Sequence, residues 1–173
     1  VEHPKIPGLF LLTAPARPHG RPVTEIQMAD LLREVRRRFD FCLLDAPAGL
    51  GRGFQLATCA ADRCVVVTTA DASSLRDAQR TVMELDRFPA GALHLVVNRV
   101  RKKLLRQLHA TIDDAIDKAG LPLLGVVPED DALPLCMNRG VPILLADGQS
   151  AATAYRNIAK RLQGERVPLL RIR

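Results

Sequence analysis

Aromatic residues are scarce in this chain of 173 residues: they make up 3% of it, and tryptophan is absent. Proteins that bind single-stranded nucleic acid without sequence preference stack the bases on aromatic rings, so this mode of binding is not expected. Because 47% of the residues are nonetheless hydrophobic, the core must be built from Leu, Val, Ile and Ala. That composition is typical of parallel sheets covered by helices. The length suits one domain, and we expect a single domain over residues 1–173.

Metal-binding and membrane-spanning patterns are also missing from the sequence. The four cysteines form no Cys-x-x-Cys pair, and the four histidines are scattered without ligand spacing, so a histidine or cysteine metal centre is not expected. No apolar run approaches the length of a membrane span, and the first residues do not read as a signal peptide. We expect a cytoplasmic protein, with peripheral attachment to the inner face of the cell membrane as an open alternative.

Positive charge is in excess, with a formal net charge of +6 and an isoelectric point near 9.6. The basic residues form two clusters on or beside predicted helices. The members are Arg33, Arg36, Arg37 and Arg38 in the first cluster, and Arg99, Arg101, Lys102, Lys103 and Arg106 in the second. Such clusters are either solvated helix faces or a surface for an anionic partner such as DNA, and both interpretations stay open.

Short apolar runs alternate with helical patterns along the whole chain, which predicts βα units and an α/β fold with a mostly parallel sheet. The runs are continuous, as in strands buried on both faces. The predicted strands are Leu9–Leu12, Phe41–Leu44, Cys64–Val67, Leu93–Val97 and Leu123–Val127, with a weaker one at Ile143–Leu145.

Four helices are predicted between and after these strands. Thr24 and Gln27 form a capping box ahead of a helix whose apolar residues recur every three or four positions. Similar spacings predict a helix after Ser73–Ser74, one from Leu105 to Ala119 that ends at Gly120, and a last one from Tyr155 that stops at Gly164.

Polar residues follow the predicted strands at the point where each strand ends. They are Asp45, Thr68 and Thr69, Asn98, and Pro128, Glu129 and Asp130. The carboxyl ends of parallel strands share one edge of a sheet, which is where open α/β folds bind ligands. The same residue types are common in ordinary turns, so a binding edge and a set of simple turns both remain open.

Four segments taken together resemble the MinD/ParA family of deviant P-loop ATPases, and most closely its MinD branch. Residues 39–50, with Asp45 followed by Pro47 and Gly49, resemble the Walker B strand and switch II of that family. Residues 61–80 resemble the next strand and helix. Residues 93–99 and 124–130 resemble the two segments that hold adenine. The resemblance implies a Rossmann-like three-layer P-loop NTPase fold, with ATP and Mg²⁺ as cofactors.

The resemblance also implies roles for individual residues. Asp45 would hold Mg²⁺ through water, which agrees with the preference of Mg²⁺ for few protein ligands. The backbone N–H of Gly49 would bind the γ-phosphate and so sense its presence. The turn from Pro47 would bring main-chain N–H groups to the phosphates. The adenine would be held by the segments that contain Asn98 and Arg99, and Pro128, Glu129 and Asp130.

One element of the family is not found in this sequence: there is no Gly-x-x-x-x-Gly-Lys-Ser/Thr and no Gly-Lys pair. That loop cradles the phosphates and supplies the lysine that neutralises them. We therefore expect the chain to be the carboxyl-terminal portion of a MinD-like ATPase, without the P-loop strand and helix. We expect no useful ATP hydrolysis by this chain alone, and we expect lowered stability or self-association because Phe41–Leu44 would lack a neighbouring strand.

Three functions follow from these observations. The first is a regulator of cell-division site placement that acts through ATP-dependent homodimerisation and binds partners of the MinC/MinE type, with Arg76, Asp77 and Arg80 as candidate contacts. The second is a ParA-like partition ATPase that binds DNA. The third is a non-catalytic interaction module that pairs with a separate P-loop protein. Residues 166–173 are too few to form a membrane-binding helix unaided, so membrane attachment through this segment is in doubt; Leu169, Leu170 and Ile172, which lie among arginines, could be the start of such an anchor, and that alternative stays open.

Overall fold

A computed structural model describes residues 1–13, 22–101, 103, 105, 111–145 and 150–170. Contacts within the chain divide it into two compact units, Val1–Ala60 and Ala61–Arg173. A single domain over residues 1–173 stays a prediction.

The first unit contains two helices, α1 (Glu25–Arg36) and α2 (Arg52–Thr58). Helix α1 begins where the sequence predicts, because Thr24 and Gln27 form the capping box: the Gln27 N–H donates to the Thr24 hydroxyl at 3.2 Å, and the Thr24 N–H donates to the Gln27 side chain at 3.0 Å. Leu32 is the buried residue of α1. Helix α2 was not predicted, because its seven residues are too few to show a clear period.

The second unit is built on a sheet of three parallel strands in the order β1 (Cys64–Thr68), β2 (Leu93–Val100) and β3 (Leu123–Pro128). Four α-helices are described in this unit. They are α3 (Ala72–Met83), α4 (Ile112–Ala119), α5 (Ala132–Asn138) and α6 (Ser150–Leu162), with a 3-10 turn at Ile143–Leu145 before α6. The parallel sheet with helical crossovers confirms the predicted α/β fold class.

The core of the second unit lies on both faces of this sheet. Helix α3 packs against β1 and α4, and α6 packs against β3. Val96 of β2 and Leu124 of β3 join Ala151, Ala152 and Ala154 of α6 in one buried cluster. The small side chains of α6 let its backbone lie close to the sheet, and Gly125 of β3 has no room for a Cβ against Ile158.

Three of the predicted strands are wrong. Phe10 forms only an isolated antiparallel bridge with Glu2. Residues 41–44 form no strand, and Phe41 and Leu43 are 65% and 88% exposed, because no described segment supplies a hydrogen-bonding neighbour. Residues 143–145 form a turn after Pro142, in which Ile143 is buried while the next two residues are exposed.

Candidate functional site

The carboxyl edge of the sheet brings together the predicted site residues of the second unit. Asn98 and Arg99 lie at the end of β2, and Pro128, Glu129 and Asp130 lie at the end of β3. The two strand ends are joined beyond the regular pairing, because the Glu129 N–H donates to the carbonyl of Val100 at 3.1 Å. Five of the eight predicted residues are therefore placed at one edge, as the strand order requires.

Glu129 ties this edge together electrostatically. Its Oε1 accepts from Arg99 Nη2 at 3.2 Å, and its Oε2 pairs with Arg101 Nε. The hydrogen bond from Arg101 is the largest cause that lowers the pKa of Glu129. Arg101 was assigned from the sequence to a basic surface cluster, so its pairing with Glu129 was missed. The sequence holds no local signal for this pair, because the partners come from different strands.

Asn98 has one side of its carboxamide occupied. Its Oδ1 accepts the backbone N–H of Arg99 at 2.9 Å. In the part of the chain that the structure describes, the amide nitrogen of Asn98 has no hydrogen-bond partner. Asn98 is therefore able to donate to an acceptor at this edge.

Asp130 connects β3 to the two helices that follow it. Its Oδ1 accepts from the Ala132 N–H at 3.1 Å, and its Oδ2 accepts from the Ala151 N–H at 3.1 Å and from the Ser150 hydroxyl at 3.3 Å. Burial opposes its ionisation, but the backbone donors outweigh this effect, and the pKa of Asp130 is lowered. Both carboxylate oxygens are thus used to cap helix amino ends.

A second polar cluster lies at the end of β1. Thr69 donates to Asp71, and its Oγ1 lies 2.8 Å from the hydroxyl oxygen of Ser74. Asp71 also accepts the backbone N–H of Ser74 at 3.0 Å as the N-cap of α3. The hydroxyl of Ser73, which donates to Asp71 at 2.6 Å, is the largest cause that lowers the pKa of Asp71. Sequence reasoning missed Asp71, although an aspartate three residues before Ser74 is an N-cap signal.

The other predicted residues, Asp45, Pro47 and Gly49, belong to the first unit. Asp45 is exposed and follows the irregular segment 41–44. Gly49 has a left-handed backbone with φ of 86°, although no atom lies within 4 Å of the position its Cβ would take. A Cβ on Gly53 would lie 2.4 Å from Pro47 Cγ, so the turn closes tightly onto the start of α2.

Within the described ranges, no group of three His, Cys, Asp or Glu residues is arranged to hold a metal ion. None of the helices in those ranges has the length and apolar character that a membrane crossing requires.

Comparison with known proteins gives three kinds of match. The family model for the cellulose biosynthesis protein BcsQ matches residues 17–161. The septum site-determining protein MinD of Synechocystis sp. is 32% identical over 98% of this chain and 65% of its own length. The corresponding protein of Bacillus subtilis is 36% identical over 93% of this chain and 61% of its own length. The chain thus spans less than two thirds of these relatives.

Solved structures match at the level of the fold and the sequence. The MinD cell division protein of Aquifex aeolicus, and its MinC:MinD complex, each have a TM-score of 0.80 and 30% identity over 86% of this chain, which corresponds to 64% and 63% of theirs. A MinD from Pyrococcus horikoshii, solved in complex with Mg-ADP, has a TM-score of 0.68 and 25% identity over 80% of this chain and 56% of its own. The chain therefore belongs to the MinD/ParA-type family of P-loop ATPases.

Proposed function

We propose that this chain supplies the base-binding side of the nucleotide site, and part of the partner surface, of a MinD-like ATPase. In this function the protein regulates cell-division site placement through ATP-dependent dimerisation and partner binding. The observation that carries the proposal is the edge formed by β2 and β3, where the Asn98 amide N–H, which has no partner among the described residues, lies beside Pro128 and Glu129. That edge belongs to a fold with a TM-score of 0.80 to MinD of Aquifex aeolicus.

The donor groups of this edge suit a purine base. An amide N–H pairs with a ring nitrogen of a base, and the Glu129 pairings keep the neighbouring arginine side chains engaged. The phosphates need more than these residues supply, because the sequence contains no Gly-Lys pair. We assign Asp45 to Mg²⁺ and the Gly49 N–H to the γ-phosphate, with Pro47 shaping the turn between them. Mg-ATP, when bound, supplies the phosphoryl group and the metal charge for its transfer.

The partner surface is assigned to α3. Arg76, Asp77 and Arg80 are exposed on this helix, while Leu75 and Ala78 face the core. Mixed charges on a rigid helix suit recognition by charge complementarity. The partner is of the MinC or MinE type, by extension from the MinC:MinD complex of the Aquifex relative. The homodimer and peripheral association with the inner face of the membrane are parts of the same proposal.

Titration calorimetry tests the nucleotide part of the proposal. Mg-ATP is titrated into this chain and into a form extended by its own upstream coding sequence, and binding is expected in the extended form. Asp45→Ala should remove the Mg²⁺ dependence of binding, whereas Asp40→Ala, which alters an exposed carboxylate of the same segment, should not. Absence of Mg-ATP binding to the extended form would refute the proposal.

A second function, an interaction module that pairs with a separate P-loop protein, has its own observation. Val65 and Val67 of strand β1 are 37% and 59% exposed, and the described residues give β1 a hydrogen-bonded neighbour on one side only. Exposed β-branched residues on an edge strand favour pairing with another chain. Sedimentation velocity of this chain mixed with a separate P-loop protein tests this function: a complex that Val67→Lys abolishes supports it, and two proteins that sediment independently at all concentrations refute it.

The DNA-binding alternative loses part of its support. Arg99 and Arg101 belong to the second basic cluster, but both pair with Glu129. Their charge is therefore partly neutralised within the protein. Steep salt dependence of binding to nonspecific duplex would still be the result that favours a ParA-like partition function.

A further inference from the structure

Strand β2 carries one extra residue at the carboxyl edge of the sheet. Its pairing with β3 passes from Val97 opposite Val126 to Val100 opposite Pro128. Three steps along β2 therefore match two along β3, which makes a β-bulge at Asn98–Arg99. Beyond the bulge the two strands are rejoined by the bond from the Glu129 N–H to the Val100 carbonyl. Bulges redirect side chains, and this one includes the residue with the free amide donor.

The backbone of the bulge is unusual at Arg99. Its φ is 53°, and it is the one residue other than glycine with positive φ among the described residues. A side chain with a Cβ does not adopt this conformation without a cost, so neighbouring groups must hold it. One such group is Asn98, whose Oδ1 accepts the Arg99 N–H at 2.9 Å. The same bond fixes which end of the Asn98 carboxamide faces the backbone, and it leaves the N–H end outward.

Glu129 holds the bulge from the neighbouring strand. Its carboxylate contacts Arg99 inside the bulge and Arg101 just after it, one oxygen to each. The Glu129 side chain is 21% exposed, against 68% and 59% for the two arginines, so the carboxylate is the more enclosed partner. Since each oxygen already has a guanidinium partner, the arrangement indicates support of the bulge and not contact with a ligand.

We propose that Glu129 is a positioning residue: by bridging Arg99 and Arg101 it holds the bulge in which Asn98 presents its amide N–H to a ring-nitrogen acceptor of a purine. This inference rests on the proposed function and refines it. Of the residues assigned to the base from the sequence, Asn98 is then the hydrogen-bonding contact. Arg99 and Glu129 act through the backbone that carries it.

Nuclear magnetic resonance of the ¹⁵N-labelled chain tests the proposal, with AMP as the probe because the phosphate-binding loop is not part of the sequence. In the unaltered chain AMP should shift the side-chain amide signal of Asn98. Glu129→Ala should weaken AMP binding about tenfold, as expected from loss of one strained backbone conformation. The matched control is Glu165→Ala, which removes an exposed glutamate outside the site and should leave AMP binding unchanged.

A second variant and a ligand-free measurement separate positioning from direct contact. Glycine adopts positive φ without steric cost, so Glu129→Ala combined with Arg99→Gly should bind AMP more tightly than Glu129→Ala alone. In the absence of AMP, Glu129→Ala should also speed hydrogen exchange of the Arg99 amide, since its bond to Asn98 is no longer held.

The outcomes distinguish the positioning role of Glu129 from the base-binding function on which it rests. Unchanged exchange of the Arg99 amide in Glu129→Ala, or a double variant that binds no more tightly than Glu129→Ala, overturns the positioning role. If the unaltered chain does not bind AMP, the base-binding function fails, and the exchange of the Arg99 amide still decides whether Glu129 holds the bulge.

Discussion

Replacement of Gly125 by alanine is the sharpest test of how α6 packs on the sheet. A Cβ at this position would lie 2.4 Å from Ile158 Cγ1 and 2.9 Å from Ile158 Cδ1, closer than real Cβ contacts allow. Overpacking of this kind costs about 1–3 kcal/mol. Alanine also lowers the conformational entropy of the unfolded chain, which offsets about 0.4–1 kcal/mol of this cost. The offset applies here because Gly125 does not have positive φ, so its backbone conformation is open to alanine. We expect the free energy of unfolding to fall by about 1–2 kcal/mol.

The measurement is urea denaturation followed by far-ultraviolet circular dichroism, since the chain has no tryptophan and one tyrosine. Ile158→Ala removes both clashing atoms and supplies the control. Alone it should destabilise, because Ile158 packs against the buried cluster of β3 and α6. Combined with Gly125→Ala it should destabilise by at least about 1 kcal/mol less than the sum of the single changes. Additive effects would show that the close approach of α6 to β3 is not the cause.

Three further predictions concern other contacts. Asp130→Ala should lower the free energy of unfolding by about 0.5–2 kcal/mol, because the caps on two helices are lost. The side chain of Asp131 makes no cap bond, so Asp131→Ala should have a smaller effect in the same urea assay. Hydrogen bonds lower the pKa of Asp71, so its contribution to stability is present above the unfolded pKa of 3.8 and is lost as the pH falls through the lower folded pKa. In Asp71→Asn the free energy of unfolding should therefore fall less steeply as the pH is lowered through this range. The same dependence on pH in the variant and the unaltered chain would contradict this. Gly53→Ala should destabilise the first unit, as measured by exchange of α2 amides, because its Cβ would meet Pro47; unchanged exchange would argue against a tight turn.

Local patterns predicted α1, α3, α4 and α6, although not all of their bounds, because their signals lie within a few residues; the seven-residue helices α2 and α5 were missed. The Thr24 and Gln27 capping box starts α1, and Gly120 ends α4 with φ of 67°, as a C-terminal glycine should. The strands β1, β2 and β3 were predicted because continuous apolar runs with β-branched residues are typical of buried parallel strands. The same rule failed at Phe41–Leu44: no described segment forms a hydrogen-bonded neighbour for this apolar run, and Phe41 and Leu43 are exposed.

The site was predicted only in part, for the same reason. The ends of β2 and β3 were placed at one edge by the order of elements along the chain. The pairing of Arg99 with Glu129 was not predictable, since these residues are 30 positions apart and meet only through the strand register. Of the two helix caps made by Asp130, the one on α6 was not predictable either, because it depends on Ala151, which is 21 positions away.

The amino-acid sequence by itself determined the α/β class, the capped helices, the three parallel strands and the family to which the chain belongs. These features depend on the spacing of apolar residues, on capping residues and on the order of motifs along the chain, all of which can be read without knowing which segments meet in space. Tertiary structure alone decided the bulge at Asn98–Arg99, the support that Glu129 gives it, and the use of Asp130 as a helix cap. A bulge, an ion pair between strands and a cap on a distant helix each require two segments in register, and register is set by the packing of the whole sheet.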